Sequence, residues 1–488
     1  MAKMISVATQ GTGCMGGVTI ITVQVDERTV TVRSINPRTG QLIRETASSS
    51  PAELSDALAR CRRAQKDWFR GSSVEEWVAL AKELEAVCRK RLDEVVGIMH
   101  EEVGTPKKAL VGAYNSVLAG VDHYVAEYRK MLEQDFPLPS SWTNTRATIT
   151  FVPHGVIGHI GVWNFPFWQT MITAFPALLT GNGIVFKPSE LSTLSGLRIA
   201  ELVHEAGYPK DLYAPVVGGG DVGKLLVRSD IDALAFTGGI DTGLDITRNA
   251  GIRPLVLELS GNDAAIVCAD ADLEQAARGI AYGTFSRGGQ VCIRIKRVYV
   301  HEAVAEELII RLADIASRLN IEEDVGPLIR EEARDRVARV VQDAVKGGAE
   351  LLCGGNRVKG PGYFYEPTVL RYDDDDIELV RRETFGPVCP VRVVHDEEQA
   401  VALANGSPYG LGATIWTGDL DRGERLAREI EAGNIWINEC VRTLPGGEYF
   451  QGWKQSGIPS SMSRLQMFTK KKTVVDHRSC EPRAHWFQ

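Results

Sequence analysis

Val156 to Lys187 reads VIGHIGVWNFPFWQTMITAFPALLTGNGIVFK. Its ends, Val156–Gly161 and Gly183–Lys187, are short continuous runs rich in apolar and β-branched residues, and Trp168–Thr180 between them is long enough for several helical turns. Strands without polar–apolar alternation, separated by a helix, are the pattern of a parallel sheet covered on both faces. The pattern repeats downstream. Tyr213–Val217, Asp232–Phe236 and Pro254–Leu259 read as further strands, and Ser195–Ala206 as a helix stopped by Gly207 and Pro209. Val156–Leu259 is therefore expected to form a doubly wound, Rossmann-like nucleotide-binding domain.

A second alternation follows, with strands at Ala264–Cys268, Arg297–His301, Val391–Val394, Ala413–Trp416 and Asn434–Asn438. Helices at Ala303–Leu319, Glu331–Lys346, Glu397–Ala404 and Asp421–Ala432 lie among them, so a second α/β domain is expected. The first 130 or so residues differ, with a hairpin-like Val18–Val32 leading into helices at Pro51–Trp68, Val74–His100 and Tyr114–Gln134. Trp142–Pro153 and Thr473–Arg478 are β-prone pieces outside both alternations. Such pieces often pair between subunits, because an exposed edge strand is a template for another chain. There is no internal repeat and no low-complexity segment.

The chain has 488 residues, well above the size at which one core stops growing, so about two or three domains are expected. Hydrophobic residues make up 44% and charged residues 24%, the ordinary globular range. With 55 Lys+Arg against 63 Asp+Glu the formal charge is −8, and no basic run accumulates, which argues against a nucleic-acid partner. A small molecule fits better. No stretch has the roughly 20 apolar residues that cross a bilayer, and Met1 to Gly17 lacks signal organisation, so no membrane partner and a cytoplasmic location are expected. Nine cysteines without CxxC pairs make neither a disulfide framework nor a zinc site, and no metal is expected.

GxGxxG occurs twice. At Gly11, Gly13 and Gly16 it precedes a β-prone run and not a helix, so its context fails. At Gly218, Gly220 and Gly223 it lies between a strand and a short helix, which suits either a nucleotide or a plain tight connection. Phe236-Thr237-Gly238-Gly239-Ile240 runs from a strand end through glycines into a helix start, where free N–H groups attract phosphate.

Cys292 follows Gly288-Gly289-Gln290-Val291, whose glycines let other groups approach the sulfur. A thiol is the right nucleophile for a soft carbonyl carbon, giving a thioester that can be hydrolysed. Most free cysteines, by contrast, are buried packing residues. Glu258 ends the apolar run Leu255-Val256-Leu257, where a carboxylate faces the crevice of a parallel sheet and suits a general base; capping the next turn is the plainer role. Asn164, in Trp163-Asn164-Phe165-Pro166, offers an amide that could stabilise an oxyanion without titrating, or serve as a turn residue before proline.

Taken in order, these motifs resemble the aldehyde dehydrogenase superfamily over about residues 30 to 475. The pieces are Trp163-Asn164-Phe165-Pro166, Lys187-Pro188-Ser189-Glu190, Phe236-Thr237-Gly238, Glu258-Leu259-Ser260-Gly261 and Gly289-Gln290-Val291-Cys292. Glu383-Thr384-Phe385-Gly386-Pro387, Pro408-Tyr409-Gly410-Leu411 and Gly433-Asn434-Ile435-Trp436-Ile437-Asn438 complete the set. The resemblance implies oxidation of an aldehyde to a carboxylic acid through a Cys292 thiohemiacetal and thioester, with Glu258 as general base and Asn164 with the Cys292 N–H as oxyanion hole. It implies NAD as cofactor, with NADP possible. The implied contacts are Lys187 and Glu190 on the adenosine ribose and Glu383 and Phe385 on the nicotinamide side, with Trp163, Gly220, Phe236, Thr237, Gly238 and Gly239 completing the cofactor set. A homodimer or homotetramer is expected. The implied domains are 1–134 with 155–256 for the cofactor, 257–440 for catalysis, and 135–154 with 441–488 as a small β element for oligomerisation.

Two other readings stay in play: a CoA-acylating enzyme, against which the retained Glu258 argues, and a non-catalytic relative, against which the intact Cys292, Glu258 and Asn164 argue. Several positions depart from the family pattern. Gly239 stands where many members have Ser, and Ser260 replaces a common Gly. Arg287, five residues before the nucleophile, stands where relatives often carry a neutral residue; it could tune the thiol or bind an acidic substrate, although arginine more often lies on the surface. Leu444 to Gly457 only partly matches the usual loop shaping the aldehyde tunnel. Phe165, Phe167, Trp168, Val291 and Ile293 suggest an apolar or aromatic channel.

Overall fold

The computed structural model describes residues 4–8, 20–24, 30–139, 144–447, 449–458 and 464–477. Its first sheet contains Val156–Ile160 (β1), Gly183–Lys187 (β2), Tyr213–Pro215 (β3), Ala233–Thr237 (β4) and Leu255–Glu258 (β5), in the spatial order β5-β4-β1-β2-β3. All four pairings are parallel. Successive side chains in a strand point to opposite faces. Ile184 and Phe186 therefore enter one core with helix Pro166–Leu179, while Val185, Leu234 and Phe236 enter another with helix Pro51–Gly71. Being covered on both sides explains why these strands carry no polar alternation.

Seven strands form the second sheet: Asp263–Val267 (β6), Ile295–His301 (β7), Glu350–Cys353 (β8), Thr368–Arg371 (β9), Val388–Val394 (β10), Gly412–Trp416 (β11) and Asn434–Ile437 (β12). Their order is β8-β9-β10-β7-β6-β11-β12, parallel except for the antiparallel edge strand β8. Ala265, Val298 and Val391 face helices Leu273–Phe285 and Ala305–Arg318, whereas Ala264, Ile266 and Ile415 face Glu397–Asn405 and Leu420–Glu429. The mixed α/β architecture, a Rossmann-like sheet followed by a second α/β unit, is the expected one.

Several expected elements change. Val74–His100 is two helices, Val74–Lys90 and Leu92–Val103, broken at Arg91, whose backbone leaves the helical region at φ −100° and ψ 10°. Tyr114–Gln134 is likewise Lys107–Leu118 and Val121–Met131, and the residues after them form the strand Glu133–Asp135. Gly120 stands at the break, and a tertiary contact requires glycine there: a Cβ would lie 2.3 Å from Gly446 Cα. Of the hairpin expected over Val18–Val32, Ile20–Gln24 pairs with Met4–Ala8 and Thr31–Ile35 with Leu42–Ala47, while residues 25–29 lie outside the described residues. The glycines at 11, 13 and 16 also lie outside them.

Trp142–Pro153 and Thr473–Arg478, expected to pair with another subunit, pair with one another over their described parts. Thr145–Pro153 runs antiparallel to Thr469–His477 from Thr145↔His477 to Pro153↔Thr469, and Glu133–Asp135 completes a three-stranded sheet. Among the described residues no helix is long and apolar enough to cross a membrane.

Candidate active site

Thr237 and Glu258 end β4 and β5 side by side, paired in register, and the loop carrying Trp163 and Asn164 leaves the adjacent β1. All four stand at the carboxyl edge of the first sheet, where open α/β sheets bind ligands. The second unit closes over this edge. A cavity of about 1420 Å³ lies there, lined by Trp163, Asn164, Thr237, Gly238, Cys292 and Glu383 among others. It exceeds an ordinary small-ligand pocket and has room for a dinucleotide beside a substrate.

Cys292 is carried by the turn between helix Leu273–Phe285 and β7. Arg287, Gly288 and Gly289 adopt left-handed conformations in succession, with φ of 58°, 65° and 68°. Glycine is obligatory at 289, because a Cβ would lie 2.1 Å from the Gly386 carbonyl oxygen. Behind Cys292 is a buried ionic cluster. Lys296 Nζ donates to the Cys292 carbonyl at 2.5 Å and lies 3.3 Å from Glu383 Oε1. Burial pushes the Cys292 thiol up to about 12; Lys296 opposes that shift, and Glu383, Asp263 and Glu258 reinforce it. Burial also pushes the Asp263 carboxyl up to about 7 and the Lys296 ammonium down.

Asn164 is buried, and its Nδ2 donates to the Gln290 carbonyl at 2.9 Å, which ties the amide to the loop bearing Cys292. That leaves its second amide hydrogen for another acceptor. Glu258 is 6% exposed and held at both oxygens: Gln169 Nε2 donates to Oε2 at 2.9 Å and Arg464 Nη2 to Oε1 at 2.5 Å. The backbone around it is pinned as well, through the Glu258↔Gly457 bridge and the Leu259 N–H to Ser456 carbonyl bond at 2.9 Å.

The expected cofactor residues separate into two groups. Trp163, Thr237, Gly238, Gly239, Glu383 and Phe385 line the cavity, and Trp163 meets Phe385 edge to face at 5.7 Å. Lys187, Glu190 and Gly220 do not line it but stand beyond it, at the end of β2 and at the start of helix Gly220–Arg228. Lys187 is buried and donates to Pro188 O at 3.1 Å and to Glu190 at 3.3 Å; burial pushes its ammonium below the usual lysine range and Glu190 holds it up. Phe236 does not touch the cavity. Its buried ring packs where a Cβ on Gly238 would fall, 2.4 Å from Cζ, so it shapes the turn into helix Ile240–Asn249. Space is open around both Gly220 and Gly239, with no atom within 4 Å of where a Cβ would stand. Two helix N-termini with uncrowded N–H groups, beside a lysine–carboxylate pair at a strand end, fit a pyrophosphate and a ribose.

Four residues of the site go unremarked in the sequence reading or are placed differently by it. Gln169 and Arg464 anchor Glu258; the first is a lone amide in the apolar run of helix Pro166–Leu179, and the second comes from a segment 206 residues away. Of the suggested channel residues, Phe165, Trp168, Val291 and Ile293 do line the cavity, but Phe167 turns into the core and stacks on Tyr114. Arg287, read as a surface residue, is 8% exposed and lines the cavity, because the left-handed turn points it inward.

A family model described as the aldehyde dehydrogenase family matches residues 24–474. Betaine aldehyde dehydrogenase 2 of Rhizobium meliloti (strain 1021) is 35% identical over 455 residues, covering 91% of this chain and 93% of the relative. Betaine aldehyde dehydrogenase of Bacillus subtilis (strain 168) is 33% identical over 485 residues, covering 93% and 96%. Among solved structures, an NAD+ complex of aldehyde dehydrogenase from Bacillus cereus is 30% identical and superposes with a TM-score of 0.88, covering 92% of this chain and 94% of that one.

Proposed function

The chain belongs to the aldehyde dehydrogenase family and is an NAD-dependent oxidoreductase of aldehydes, and from that premise we propose that it makes carboxylic acids through a thioester on Cys292 that water cleaves. The single observation that carries the reading is the meeting in one cavity of a thiol and an amide tied to the thiol's own loop, with a carboxylate held just behind the cavity wall by the lining residue Gln169.

In this reading the Cys292 sulfur gives up its proton to solvent water and attacks the carbonyl carbon, forming a C–S bond and a thiohemiacetal oxyanion. The free hydrogen of Asn164 Nδ2 and the Cys292 backbone N–H donate to that oxygen, which is where the charge develops. Bound NAD+ supplies the hydride acceptor, and loss of hydride leaves the thioester. Glu258 then takes a proton from water, whose oxygen attacks the acyl carbon; the C–S bond breaks, the acid leaves, and the departing sulfur takes the proton back from Glu258, which restores both groups. A carboxylate has about four lone-pair sites, so Gln169 and Arg464 leave room on Glu258 for that water.

Lys187 and Glu190 would hold the adenosine ribose, the N-termini at Gly220 and Gly239 the pyrophosphate, and Glu383 and Phe385 the nicotinamide side. A base set for water favours hydrolysis over CoA transfer. On the same reading, residues 1–134 with 155–256 carry the cofactor, 257–440 the chemistry, and 135–154 with 441–488 join subunits into a homodimer or homotetramer. The exposed Val474 and Val475 on the edge strand Thr469–His477 support that last assignment. The relatives' names put betaine aldehyde among the candidate substrates, but the cationic wall residue Arg287 speaks against a quaternary ammonium group.

The experiment is NADH formation by the purified chain on neutral, cationic and carboxylated aldehydes, repeated with Cys292→Ser. Turnover in wild type and a loss of at least about a thousandfold in the variant, with NAD binding kept, is the expected outcome. Turnover within tenfold of wild type would remove Cys292 from the role of nucleophile.

A further inference from the structure

Arg287 is a buried cation in the wall of the substrate cavity, without a counter-ion among the described residues. Its Nη2 donates to the Ala109 carbonyl at 2.5 Å, and the guanidinium carbon lies 4.2 Å above the centre of the Phe165 ring. Nη1 is buried and has no hydrogen-bond partner among the described residues, and no carboxylate among them lies within ion-pair distance. The other charged side chains of that wall are engaged or sit at its rim. Glu383 is paired with Lys296, and Lys108, Arg278, Glu323, Asp324 and Arg442 are exposed. Burial pushes the guanidinium down to about 10, so it stays charged at neutral pH.

Burying an unpaired charge is expensive, and holding a non-glycine residue at a φ of 58° costs further. A folded chain has no use for both costs unless the cation meets a partner that arrives with the ligand. One face of Phe165 is already taken by the guanidinium, whose charge would repel an ammonium group brought close by the substrate.

We propose that Arg287 anchors a carboxylate at the far end of the substrate, so that the enzyme oxidises semialdehydes: the aldehyde carbon meets Cys292 while the anionic end binds the guanidinium. The inference rests on the reading of Cys292 given above. It favours a carboxylate over a phosphate, because one unpartnered nitrogen among apolar and aromatic neighbours suits a single charge better than a dianion.

The test is kcat/KM of the full-length enzyme with NAD for ω-carboxy aldehydes of graded chain length, set against their methyl esters, a trimethylammonium aldehyde and a phosphorylated aldehyde. The carboxylated series should exceed the esters by about thirtyfold or more, the range for a hydrogen bond to a charged group. In Arg287→Met that ratio should fall to near one, mainly through a raised KM for the carboxylated aldehyde, and Arg287→Lys should keep part of it. Melting temperatures identify variants that fail to fold; the wild-type panel and Arg287→Lys then decide. Esters, the trimethylammonium aldehyde or the phosphorylated aldehyde used as well as or better than the carboxylates would overturn the assignment while leaving Cys292 chemistry intact. If no aldehyde at all is oxidised, the underlying reading falls and this one with it.

Discussion

Cys292 is held between opposing charges. Lys296 draws its thiol towards ionisation, but burial and the carboxylates of Glu383, Asp263 and Glu258 outweigh it and push the group up to about 12. A thiol raised in this way is protonated throughout the neutral range, and its thiolate fraction grows tenfold with each pH unit until the pKa is approached. Alkylation of the ligand-free enzyme by iodoacetamide, corrected with Cys292→Ser for other thiols, should therefore accelerate about tenfold per unit between about pH 7 and 9. A plateau near pH 7 would mean that the resting sulfur is already ionised. The Glu258 carboxylate is fixed at both oxygens by Gln169 and Arg464, which holds it in one orientation.

At the scale of elements, the proposed reading gives the turn leaving β2 the choice of cofactor. Lys187 ends the strand and Glu190 lies 3.3 Å from its ammonium, so a ribose placed there meets a carboxylate able to accept from both hydroxyls. A 2′-phosphate would meet a like charge. kcat/KM for NAD should exceed that for NADP by about tenfold or more, corresponding to about 1.4 kcal/mol, and Glu190→Gln should narrow the gap. Equal values in wild type would show that Glu190 does not read the ribose.

The same elements mark what the sequence makes legible. β1, β2 and β4 are plain in it because burial on both faces turns them into unbroken apolar runs, and Glu258 and Thr237 follow from standing at strand ends. Strand β8, Glu350–Cys353, is missed because it is a short, half-exposed edge next to Gly354 and Gly355. The need for glycine at 120 depends on Gly446, and the grip on Glu258 on Arg464, contacts of 326 and 206 residues' separation that no local pattern encodes. Arg287 is misjudged because arginine favours the surface, and only the left-handed turn of Arg287 to Gly289 carries it inward.

For the whole molecule, one buried group of the first sheet sets a limit on acid stability. His159 on β1 is 1% exposed, packs 5.0 Å from Phe186, and has no partner at Nδ1 among the described residues. Burial pushes it from 6.5 to about 3. The folded state cannot take the proton that the unfolded chain binds below 6.5, so this stability is present above that pH and is lost as pH falls towards about 3. At pH 5 the loss is about 2 kcal/mol, from roughly 1.4 kcal/mol per pKa unit. His159→Phe should flatten the denaturation midpoint between about pH 6.5 and 5 by that amount. An unchanged profile would place the acid sensitivity elsewhere.

The two parallel sheets serve one end. The first delivers Asn164 and Glu258 from its carboxyl edge, the second delivers Cys292 just before β7, and the proposed reaction uses all three around one carbonyl group. That claim is tested most directly by mass spectrometry of Glu258→Gln quenched soon after mixing with NAD and a substrate aldehyde. With the base replaced by an amide, acylation should outrun hydrolysis. The account predicts an acyl increment on the peptide containing Cys292, formed in step with NADH; a burst of NADH with no adduct on that peptide would contradict it.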